Sequence, residues 1–152
     1  MKDTHRPGLV QDATGNGLTY EIIGAAMAVH NALGPGYKEE VYERALAVEL
    51  AQRGIAAERQ FRVEVQHQGV PVALFYLDLF VAATVVVEVK AFAHQLTNDE
   101  ICQVMNYLKA SGAPVALLLN FGRRALQYRR IFPPRIAGAP GRLGRDSVKK
   151  QA

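Results

Sequence analysis

Between Val70 and Ala91 the chain reads VPVALFYLDLFVAATVVVEVKA, and its only formally charged side chains are Asp78, Glu88 and Lys90. A charge in apolar surroundings costs several kcal/mol unless it is paired or binds an ion. Strand side chains alternate faces, so Glu88 and Lys90 share one face, and Tyr76, Asp78 and Phe80 fall together on the preceding strand. A chain reversal around Ala82–Thr84 sets Asp78 across from Glu88, and cross-strand partners have Cβ atoms about 5 Å apart. Two bare carboxylates that close repel, and one takes a proton. A divalent cation removes the conflict by giving both a hard partner at about 2.0–2.1 Å. Lys90, one pleat further on, then reaches a phosphate or a water on that metal. The competing reading is structural: Lys90 neutralises Glu88 and Asp78 finishes a turn. The turn AAT lacks Gly or Asn, so it does not fix the register.

Other residues carry weaker chemical signals. In GYKEEVY (36–42), Glu39 and Tyr42 stand at i, i+3 on one helical face, where Glu39 also complements the helix dipole and Tyr42 half-packs. In QVMNY (103–107), Gln103 and Tyr107 share a face off the apolar stripe of Ile101, Val104, Met105 and Leu108. Core packing does not explain that pair; hydrogen bonding to phosphates or to a metal-bound water does, as does plain exposure. Arg123–Arg124 and Arg129–Arg130 offer phosphate contacts or a solvated loop and edge strand. His30 reads as a packed or dipole-complementing residue, His94 as a group lining the site, and Cys102 as without a role. Phosphate-loop, esterase-elbow and zinc-protease patterns do not occur.

These groups need elements to hold them. Leu18, Ile22, Ala25, Ala26, Val29 and Leu33 recur at helical spacing over residues 18–33, and GPG (34–36) stops that helix. A second helix runs from Glu39 to Arg53 with Gly54 beyond it. Strands follow at 59–66, 71–82 and 85–91. A capping box in TNDE (97–100) opens a helix that ends at Gly112, and strands at 114–121 and 126–132 close the order α, α, β, β, β, α, β, β. That order argues for a mixed sheet with helices covering its faces. The 152 residues suit a single domain, read over 18–132 between a loose leader (1–17) and a basic tail (133–152) that reads as disordered. The tail's Arg135, Arg142, Arg145, Lys149 and Lys150 against Asp146 account for the whole net charge of +4, so the domain itself is balanced. Nucleic-acid binding would then rest on local patches and the tail, not on a global field. One cysteine, no apolar signal core and no run of membrane-spanning length point to a soluble, cytoplasmic chain without a membrane partner.

Taken together, Gly36-x-x-Glu39-x-x-Tyr42, Asp78, Glu88-x-Lys90, Gln103-x-x-x-Tyr107 and NFG (120–122) resemble the GxxExxY family of the PD-(D/E)xK nuclease superfamily over about Leu18 to Ile131. The resemblance implies an α/β (α+β) fold with a restriction-endonuclease-like core: a mixed four- to five-stranded sheet flanked by helices. It implies catalytic roles for Asp78, Glu88, Lys90, Gln103 and Tyr107. It also implies Mg²⁺ or Mn²⁺ held by Asp78, Glu88, the backbone carbonyl of Val89, and Glu39. Tyr42, Arg123 and Arg124 become nucleic-acid contacts, with DNA favoured over RNA as partner and a homodimer left open. Two departures stand out: FYLD (75–78) lacks the basic residue often found before the aspartate, and the hairpin turn lacks the usual Gly. The expected function is metal-dependent phosphodiester hydrolysis; the alternative is a non-cleaving nucleic-acid- or protein-binding module on the same fold.

Overall fold

The computed structural model describes residues 16–134. Most of the leader and nearly all of the basic tail lie outside them. Element order is α1 (Asn16–Leu33), α2 (Glu39–Gln52), β1 (Ala57–His67), β2 (Val70–Val81), β3 (Val85–Lys90), α3 (Asn98–Ser111), β4 (Val115–Asn120) and β5 (Gln127–Ile131). The fold is α+β, with the strands in sequential order in one mixed five-stranded sheet. Its β1–β2, β2–β3 and β4–β5 pairs are antiparallel, while β3 and β4 run parallel, joined by a crossover through α3. Expected and observed order agree; α1 starts at Asn16, inside the segment read as leader.

Two apolar layers hold the sheet. On one face Ile22, Ala26 and Val29 of α1 and Leu46 and Leu50 of α2 pack on Val85, Val87, Val89, Leu117 and Leu119. On the other, Val104 and Leu108 of α3 cover Val86, Ala116 and Leu118. Strand alternation sorts β3 and β4 between these layers, which is why both read as continuous apolar runs. Glu88, two residues on from Val86, therefore faces α3.

Local chemistry sets the ends. Thr97 caps α3 by accepting from Asp99 N, while its own N–H donates to Glu100 Oε1 at 2.6 Å. Gly112, at φ +72°, closes that helix in the left-handed conformation glycine favours. The β1–β2 hairpin turns at Gln68-Gly69, both at positive φ, the pattern of a two-residue primed turn. The β2–β3 turn places Ala82 and Ala83 at φ +51° and +50°, unfavourable for L-residues. Thr84 N–H donates to Val81 O at 2.9 Å, and the Thr84 hydroxyl donates to Ala82 O at 2.8 Å. Hydrogen bonding thus supplies what composition does not.

Candidate active site

The three charges converge, but not by a continuous ladder. Pairing of β2 with β3 covers Val81↔Val85, Phe80↔Val86 and Leu79↔Val87. Beyond Leu79 the strands part, and the Asp78 side chain crosses the gap: its Oδ2 accepts from Val89 N–H at 2.8 Å. The same residue drops out of the β1 ladder, where Arg59↔Leu79 is followed by Phe61↔Leu77. Taking one residue from each strand makes 59 and 61 successive rungs, so the apolar faces reverse. Leu79 and Val81 pack under α1 and α2, whereas Leu77 packs on the α3 side. This corrects the expected grouping of Tyr76, Asp78 and Phe80: Tyr76 is half exposed, and Phe80 packs on the α3-side core.

The proximity shapes the electrostatics of the site. Burial pushes the Glu88 carboxyl up to about 8, with the Asp78 charge the next cause and Lys90 opposing both. Burial also lifts Asp78 to about 6; the Val89 N–H bond and Lys90 hold it down, while Glu43 and Glu39 push it up. Lys90 Nζ lies 3.2 Å from Glu88 Oε2 and donates to Gln103 Oε1 at 3.2 Å. The expected structural ion pair is therefore real, yet it satisfies only one oxygen. Glu88 Oε1 is buried with no hydrogen-bond partner.

Helix α2 brings acid to the same region. A concavity of about 550 Å³ is lined by Glu39, Glu43, Gln60 and Asp78. Tyr42 of this helix is fully buried, stacked on Phe121 at 4.7 Å between ring centroids. Its hydroxyl donates to Gly34 O and accepts from Tyr37 N–H, so it pins the GPGY loop. A nucleic acid cannot touch it there, and that expectation is corrected. Helix α3 supplies Gln103, exposed, and Tyr107, which is not off the core as expected. Tyr107 is 8% exposed and packs its ring on Phe75 at 5.4 Å. Burial and the charges of Glu88 and Asp78 push its phenol up to about 12, so it stays protonated as a donor beside the carboxylates.

Asn120 is a residue that spacing alone did not single out. Fully buried and paired with Lys90 in the β3–β4 register, it accepts through Oδ1 from Phe92 N–H (2.8 Å) and Gly122 N–H (3.1 Å). Its Nδ2 donates to His94 O at 3.0 Å. Gly122 follows because a Cβ there would lie 2.3 Å from Phe92 O. The NFG motif thus clamps the segment after Lys90. His30 is buried, and its Nε2–H donates to Arg123 O at 2.8 Å, tying α1 to the same loop. Arg124 is exposed and Arg123 half-buried on that loop. His94 is exposed and stacked on Phe92.

The donor set suits a hard cation. Two carboxylates, one with an orphaned buried oxygen, lie close together, and burial first and like charge second raise both carboxyls. Among the described residues no three His, Cys, Asp or Glu side chains gather into a ready cluster. Glu39 is felt at both carboxylates as a weaker, like charge.

Comparison with known proteins bears on family and fold. The family model of the PD-(D/E)XK nuclease superfamily matches residues 16–131. Among solved structures, the crystal structure of SSO0001 is similar, with a TM-score of 0.50 and 17% sequence identity over 74% of this chain. The match spans 58% of that protein's chain, and the likeness is one of fold. No curated protein matches the sequence significantly.

Proposed function

The chain belongs to the PD-(D/E)XK nuclease superfamily, and from that premise we propose that it hydrolyses phosphodiester bonds of nucleic acid with a divalent cation at Asp78 and Glu88. The observation that carries the reading is Glu88 Oε1, a buried oxygen without a partner, beside a second carboxylate and an ammonium. Asp78, Glu88 and the Val89 carbonyl would hold Mg²⁺ or Mn²⁺, with Glu39 reaching in from α2. Such a cation, when bound, supplies Lewis acidity at the phosphate and lowers the pKa of water.

The protein's own groups do the rest. Lys90, steadied between Glu88 and Gln103, presents its ammonium to a phosphate oxygen or to the attacking water. Gln103 fixes the direction of that ammonium. Tyr107 keeps its proton and can donate a hydrogen bond to an oxygen at the carboxylates. Arg123 and Arg124 would contact backbone phosphates beyond the catalytic strands, with DNA the favoured substrate. Within the superfamily, Gly36-x-x-Glu39-x-x-Tyr42 supports the GxxExxY branch, Tyr42 serving to set the loop that precedes Glu39.

The test is cleavage of single- and double-stranded DNA and RNA in Mg²⁺ or Mn²⁺. Wild type is expected to cut, and Glu88→Gln and Lys90→Ala to fall by about 10²-fold or more while staying folded. Undiminished cutting by both variants refutes the assignment. Salt-dependent binding without cutting in any metal would favour a binding module on a nuclease fold.

A further inference from the structure

Glu43 lies in no motif named above, yet it is 5% exposed and carries a carboxylate into the wall of the site. Both its oxygens lie 3.1 Å from Gln60 Nε2, and Oε2 lies 3.1 Å from Arg59 Nε. The Arg59 contact is an ion pair without hydrogen-bond alignment: Arg59 Nε is buried and makes no hydrogen bond. The amide of Gln60 is therefore the directed partner of a buried carboxylate.

Gln60 is itself unusual. Its φ of +53° is a left-handed conformation that side-chain-bearing residues seldom adopt. It occupies the gap between the Arg59↔Leu79 and Phe61↔Leu77 rungs, the gap that holds Asp78 on the opposite strand. A regular strand at Gln60 would restore a 60↔78 rung. Asp78 would then return to the ladder and its carboxylate would leave the Val89 N–H, on which it now sits at 2.8 Å. We infer that Glu43 is a positioning residue: by gripping Gln60 it holds open the ladder of β1 and β2, and so delivers the Asp78 carboxylate to β3. The inference rests on the proposed role of Asp78, and it adds the device that places that carboxylate.

The test uses the full chain and two readouts, Mn²⁺ affinity by calorimetry and hydrogen-exchange protection of the Val89 amide. Glu43→Ala should weaken Mn²⁺ binding by about 10-fold or more, the usual scale for residues that orient a ligand. It should also lose Val89 protection. Glycine adopts positive φ without strain, so adding Gln60→Gly to Glu43→Ala should restore both readouts at least in part. Rescue separates positioning from ligation, because a lost metal ligand is not replaced by a glycine on another strand. Glu43→Gln, which keeps an acceptor for Gln60, serves if the alanine variant does not fold, and should retain Val89 protection. Unchanged readouts in Glu43→Ala, or no rescue in the double variant, overturn the inference. Glu88→Gln is the control: if it too leaves Mn²⁺ binding intact, the metal reading fails, and Val89 protection alone decides the role of Glu43.

Discussion

At the scale of single residues, the site turns on what burial does to two carboxyls. Glu88 is held near 8 against an ordinary 4.5, so the fold binds its proton more tightly than the unfolded chain does. The stability this contributes is complete at low pH and is lost as pH rises through about 8. Asp78, raised to about 6, behaves in the same sense over a lower window. In chelator, raising pH from 5 to 9 should therefore lower the melting temperature of wild type relative to Glu88→Gln. Mn²⁺ at the upper pH should reverse the difference. A wild-type curve parallel to that of Glu88→Gln contradicts the burial account. Much of this was legible in the sequence, since lone charges in an apolar run demand a partner. Tyr42 and Tyr107 were not: a tyrosine whose ring is buried has the same spacing as an exposed one.

At the scale of elements, the sequence announced the strands and helices through periodicity, capping box and glycine stops, and their order is as expected. It did not announce the interruption at Gln60 and Asp78. Nothing in RQFRVEVQ breaks the alternation of residue types, because one residue omitted from each strand preserves the register sum while exchanging faces. The β2–β3 turn shows a similar gap between composition and geometry. Ala82 and Ala83 are exposed and hold positive φ. Ala83→Gly should stabilise the protein by about 0.5–1 kcal/mol in urea unfolding, the relief of strain exceeding the added chain entropy. Destabilisation would mean that the turn is not left-handed. Conversely, Gly122→Ala forces a Cβ onto the Phe92 carbonyl. It should cost about 2–3 kcal/mol and raise exchange of the Phe92 amide; a neutral effect would contradict the clamp.

At the scale of the whole molecule, a near-neutral domain means that any hold on a polyanion is local. The loop of Arg123 and Arg124 sits beyond the strand ends that carry Lys90 and Asn120, tied there by His30 through a backbone carbonyl. Side-chain replacement should leave that tie intact. Arg123→Ala with Arg124→Ala should then reduce the slope of log binding constant against log salt by about 1–2 without lowering the melting temperature. An unchanged slope would remove the loop from the binding surface. Among the described residues no helix is long and apolar enough to cross a membrane.

The most direct measurement is a crystal structure with Mn²⁺, read by its anomalous scattering. A peak contacting Glu88 Oε1 and the Asp78 carboxylate is the predicted result. A saturated crystal with no peak there, or with Mn²⁺ bound only away from these two side chains, would contradict the account.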